Sequence, residues 1–139
     1  MASLTYNSCF DDLVRGNINF ASDTFWIMLV TASYVADKDL HVKRSDITNE
    51  VSGTGYSAGG KVITATITKD TANDRIDIDF SSVNWPTASI TARGGVIYKR
   101  RGGAATADEL VAYIDFGANV TSTNDTFTVT LSSPLRLQN

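Results

Sequence analysis

The chain has 139 residues with 12 Lys+Arg against 15 Asp+Glu, a formal net charge of −3, and 42% hydrophobic residues. That length suits one domain, and the apolar share excludes wholesale disorder. One cysteine (Cys9) and one histidine (His41) exclude a disulfide framework and a zinc-cysteine site, and the acidic balance argues against direct nucleic-acid binding. Asp supplies 13 of the acidic residues and Glu only two, Glu50 and Glu109, amid abundant Thr and Ser. These residues favour strands and turns over helices.

The start, MASLTYNSCFDDL, lacks the basic region of a signal peptide. A short helix is expected over Ser8–Arg15, with Ser8 as cap, Asp11 three residues on, Gly16 as stop, and Phe10, Leu13 and Val14 on the docking face. Cys9 beside that face reads as a packing residue. Thr24–Thr31 is a continuous apolar run, as for a strand covered on both sides; its core, Phe25–Val30, is too short to cross a membrane. Ala32–Gly60 has little strand pattern and reads as a long loop. Lys61–Lys69 and Arg75–Phe80 alternate around the turn 70–74, forming a hairpin. Ile90–Lys99 is a strand interrupted at Gly94–Gly95 by a bulge or close packing. Leu110–Phe116 and Thr126–Leu131 follow, separated by the turn-like TSTND at 121–125. About eight short strands predict an all-β, antiparallel two-sheet sandwich, jelly-roll-like, with an immunoglobulin-like sandwich as the alternative.

Motifs for chemistry are weak. Gly55–Lys61 has P-loop spacing, but Val62 replaces the Mg²⁺-binding hydroxyl and a β-pattern follows instead of a helix. Gly53-x-Gly55-x-x-Ala58 likewise lacks the strand–turn–helix setting of a dinucleotide site. Asp77 and Asp79 share one strand face, which suits a glycosidase pair or, more simply, a solvated face. Asp70, Asn73 and Asp74 offer oxygen ligands without EF-hand spacing. His41 has no nucleophile elbow beside it and reads as a surface or loop residue. Trp26, Trp85 and the tyrosines suit a sugar platform, but core packing fits Trp26 better. The sequons at Asn119 and Asn124 read as Thr-rich turn sequence. No catalytic, cofactor-binding or metal site is expected, and no enzyme activity.

Taken in order, YNSCFDDLVRGNINFASDTFWIMLVTASY, DITNEVSGTGYSAGGK, NDRIDIDF, VNWP, ITARGGVIYKRRGGAATADELVAYIDFG and STNDTFTVTL resemble a family of small virion structural proteins of tailed bacteriophages, over roughly Tyr6 to Leu131. The resemblance implies a non-enzymatic capsid cement or decoration protein on the virion exterior. Its expected partners are the major capsid protein and, as a dimer or trimer, itself. Tail, neck or fibre association is the alternative, and a carbohydrate-binding module a more distant one. On this view the chain is one domain over 1–139. An N-terminal arm and helix (about 1–16, with Met1–Asn7 as the arm) and a non-strand tail (132–139) are free to reach neighbours. Lys43, Arg44 and Tyr56 of the long loop, with Lys99, Arg100 and Arg101 of the densest basic run, are the nominated protein-interface residues.

Overall fold

In the computed structural model the described residues are 2–132 and 134–139; Met1 of the expected arm and Ser133 of the expected tail lie outside them. In chain order come β1 (Leu4–Thr5), α1 (Asn7–Val14), β2 (Phe25–Val30), β3 (Lys61–Ile63), β4 (Ala65–Asp70), β5 (Arg75–Phe80), β6 (Val83–Lys99), β7 (Leu110–Val129) and β8 (Leu135–Gln138). Strands β1-β7-β6-β2-β3 form one antiparallel sheet and β4-β5-β8 a second. The chain is therefore the expected all-β two-sheet sandwich with one short helix.

The continuous apolar run of β2 has a physical cause. Phe25, Ile27 and Leu29 join the core between the sheets, with Phe20, Phe80, Trp85 and Phe127. Met28 and Val30 point the other way, into a second cluster with Tyr6, Tyr34, Val96, Tyr98, Leu110 and Tyr113. Side chains alternate along a strand, so a strand with two cores must be apolar at nearly every position. The long segment 32–60 covers this second core: Tyr34 is buried, and Ala36 and Ile47 pack against the cluster. It contains one short 3₁₀ turn (Arg44–Asp46) and three isolated bridges.

Glycines set the closest approaches. Gly60 has φ +82°, and a Cβ there would fall 1.8 Å from the Ile27 carbonyl oxygen. The Gly-rich stretch expected to be a flexible connection thus lies flush against β2, and a strand, not a helix, follows it. At Gly94 a Cβ would sit 2.6 Å from the Ile114 carbonyl oxygen, and the β6–β7 register shifts between Ala92 and Gly94. Bulge and close packing coincide at that site.

Five expectations need correction. The run 61–69 is split at Thr64: β3 joins the larger sheet and β4 the smaller. The segment 110–129 is one strand, with the turn-like TSTND inside it. Thr-rich residues there pair with β6, while Gly117 (φ +81°) and Asn124 (φ +50°) absorb local irregularity. The two termini expected to reach neighbours are docked on this chain: Leu4–Thr5 pair with β7 as β1 and Tyr6 is buried, while the tail expected to be irregular forms β8 on β5. The helix spans Asn7–Val14, starts at Tyr6 without a side-chain cap, and buries Cys9 and Asp12. Val14 is exposed, Phe10 is partly exposed at the lip of a groove lined also by Phe80, Ile97 and Ala112, and only Leu13 of the expected trio packs on the core. Trp26 does pack, but only half-buried at the margin of the second cluster, and Trp85 is the fully enclosed indole.

Candidate interaction surface

The β6–β7 connection brings the basic run back over the long segment. Its cations meet acids that the fold has buried. Asp108 and Glu109 are almost fully enclosed, at 0% and 1% exposure. Arg44 Nε donates to Asp108 Oδ2 at 2.7 Å, and the Arg101 backbone N–H donates to Asp108 Oδ1 at 2.9 Å. The Arg101 side chain grips Glu109 in a fork, Nε to Oε1 at 2.6 Å and Nη2 to Oε2 at 3.0 Å. Lys43 Nζ stands 4.0 Å from Glu109 Oε1. Buried carboxylates need such partners, since an uncompensated charge in this setting costs several kcal/mol.

The remaining nominated residues are tied down nearby. Lys99 donates to the Asn17 carbonyl at 2.6 Å and pairs with Asp23 at 2.9 Å. Burial opposes ionisation of Asp23, but hydrogen bonds from Lys99 and from the Asn19 backbone outweigh it and hold its carboxyl below the ordinary range. Arg100 lies 4.0 Å above the Trp26 ring, and Arg44 lies 5.2 Å above Tyr98. Tyr56 donates to Glu50 Oε2 at 2.7 Å and accepts from the Leu29 N–H at 2.9 Å, while Glu50 also accepts from the Gly59 N–H at 2.7 Å. Burial first, then the Glu50 charge, push the Tyr56 phenol upward, so it stays a donor. Tyr98 OH donates to the Gly59 carbonyl at 2.6 Å, which connects Tyr56 to the basic group. Of the six nominated residues, Lys43, Arg44, Tyr56 and Arg101 therefore hold the long segment or the β6–β7 turn in place, Lys99 ties down the stretch 17–23, and Arg100 stacks on β2.

Other candidates resolve into structural roles. Asp77 accepts from Arg136 Nε at 2.7 Å and faces Arg75 at 3.3 Å, and Asp79 stays exposed. The Arg136 hydrogen bond holds the Asp77 carboxyl below its ordinary range. Asp70 accepts from the Asn73 backbone N–H and side chain as an ordinary turn former. His41 is half-buried, its Nδ1 accepting from Tyr34 OH at 2.8 Å and from the Asp37 N–H at 3.2 Å. Tyr34 OH in turn meets Tyr6 OH at 2.8 Å. Burial pushes Tyr34 up to about 12 and Cys9 up to about 12. Among the described residues no helix is long and apolar enough to cross a membrane, and no group of three His, Cys, Asp or Glu residues converges as metal ligands.

Sequence reasoning missed Asp108 and Glu109. The available signal was an Asp-Glu pair placed seven and eight residues beyond Arg101, across a turn containing Gly102 and Gly103, where a hairpin returns acids to bases. Among known proteins, no family model, no curated sequence and no solved structure matches the chain.

Proposed function

We propose that the chain is a non-enzymatic structural protein of a tailed-bacteriophage particle, a decoration protein that binds the outside of the major capsid protein shell and reinforces it. The ordered resemblance from Tyr6 to Leu131 points to the virion. The observation that carries the reading is the use made of the reactive side chains. Asp77, Asp108, Glu109, His41 and Cys9 are each committed to an ion pair, a hydrogen bond or packing that rigidifies the sandwich. What this body presents outward is extended backbone edges and Thr-rich strand faces, the material of polar, adaptable protein contacts. Trp85 lies in the core and Arg100 covers Trp26, which disfavours the sugar-platform alternative.

Imaging of the phage particle that carries this chain tests the proposal. Density on the outer shell, in numbers matching the shell lattice, is the expected result, together with earlier heat release of DNA from particles lacking the chain. A few copies at the neck or tail would replace the capsid assignment by the tail alternative. Absence from the particle would overturn the virion reading altogether.

A further inference from the structure

Strand β4 (Ala65–Asp70) is an edge, paired with β5 on one side only. Its hydrogen-bonding phase follows from two contacts. Ser81 donates its backbone N–H to the Thr64 carbonyl at 2.9 Å, and Asn139 donates to the Asp74 carbonyl at 3.1 Å. Antiparallel ladders alternate, so Thr64, Thr66, Thr68 and Asp70 direct their backbone groups towards β5. Ala65, Ile67 and Lys69 direct theirs away from the sheet.

This outward triplet is symmetric about Ile67. A second β4 laid antiparallel across a two-fold axis there pairs Ala65 with Lys69 of the other copy, Ile67 with Ile67, and Lys69 with Ala65. Three such pairs exchange about six backbone hydrogen bonds. In the same register Thr66 faces Thr68 and Thr64 faces Asp70, so no like charges stand opposite each other. The side chains agree with the backbone. Ile67 is 46% exposed although its cross-strand neighbour Ile78 is buried at 2%. It forms one lip of an apolar groove of about 330 Å³ lined also by Leu13, Ile18, Phe20, Ile76 and Leu137. A second Ile67 beside the first covers that lip.

The β4 edge carries Lys69 and Asp70 but lacks two other usual protections. The β4–β5 register runs unbroken from Ala65–Phe80 to Asp70–Arg75, with no bulge, and β4 contains no proline. The opposite edge, β8, differs. It is four residues long, follows Pro134 and carries Arg136.

We propose that this chain forms a two-fold dimer by antiparallel β4–β4 pairing centred on Ile67, joining two three-stranded sheets into one of six strands. The proposal gives the self-association part of the virion reading a defined surface. It rests on edge geometry, so its failure and a failure of the particle location are separate results.

Sedimentation of the full chain across micromolar to millimolar concentrations tests it, beside an Ile67→Lys variant checked for folding by circular dichroism. Two lysines face each other across the axis in that variant, which raises the dimer dissociation constant at least about tenfold. An Ile67→Cys variant provides a second reading. Paired residues at this register sit about 5.5 Å apart at Cα, within disulfide range, so mild oxidation yields a covalent dimer. The wild-type chain, whose single Cys9 is buried, and a Thr66→Cys variant do not cross-link. A chain that stays monomeric throughout and fails to cross-link at position 67 overturns the proposal. So does a dimer indifferent to Ile67→Lys, or growth into open filaments, which would indicate β4 pairing with β8 instead.

Discussion

The larger sheet is covered on both faces, by the smaller sheet on one side and by the segment 32–60 on the other, whereas the smaller sheet has a core on one face and solvent on the other. Their sequences record the difference. β2 is apolar throughout, while β5 alternates Ile76, Ile78 and Phe80 with Asp77 and Asp79. A doubly covered sheet can enclose acids such as Asp108 and Glu109 only by enclosing or capping them with arginines. On the singly covered sheet Asp79 stays exposed and Asp77 is screened by Arg136 and Arg75 on the outer face, and the β4 edge remains open to other chains. Rigidity and availability are thus divided between the two layers.

This division can be broken on its rigid side first. Gly60→Ala should have the largest effect, since the new methyl overlaps the β2 backbone; a loss of about 4 kcal/mol or more is expected from urea denaturation. Asp108→Ala strands Arg44 and should cost about 3–5 kcal/mol in the same assay, with part of the loss recovered when Arg44 is also changed to Met. Ile27→Ala, in the wall between the layers, should cost about 2–5 kcal/mol.

Acid tests both layers, through Asp77 on the smaller sheet, Asp115 on the larger one and Asp46 in the segment that covers it. Asp77 is held below its ordinary range by Arg136, Asp115 by Arg93 and Asp46 by the Lys43 and Val42 N–H groups. A carboxylate with a depressed folded value binds protons more readily when unfolded. Its contribution is therefore complete above the ordinary value near 4 and is lost as pH falls through the depressed one. Urea midpoints should drop below about pH 4, and Asp77→Asn should flatten that drop while leaving the neutral-pH curve shape unchanged. The smallest effect belongs to the exposed edge: Ile67→Thr should alter monomer stability by no more than about 0.5 kcal/mol, against the larger cost at Ile27.

Much of the layered body was legible in the residues, because burial imposes a period. The two-sided run Thr24–Thr31, the hairpin of β4 and β5 and the interruption at Gly94–Gly95 all announce themselves that way. Signals that conflict locally were misleading. TSTND combines turn-forming Asn and Asp with strand-forming Thr, and pairing with β6 decided in favour of strand. LRLQ is too short for alternation to stand out, and only β5 makes it a strand. For the helix, Phe10 and Val14 obey the amphipathic spacing, yet the docking face is set by how Tyr6 and the Asn17 contact to Asp12 orient the segment. At the interaction surface the cations were visible and their acids were not, since an Asp-Glu pair reads as solvent-exposed until the hairpin folds it under Arg44 and Arg101.

The single residue Thr64 between β3 and β4 couples the two layers covalently. Tension applied along the β4 edge by a bound neighbour passes through that residue into the ladder of β3 on β2. That ladder is short, three residue pairs from Phe25–Ile63 to Ile27–Lys61, and its strand β2 is enclosed between the two cores. An attachment at this margin is therefore one residue removed from the strand paired with the most buried one in the molecule.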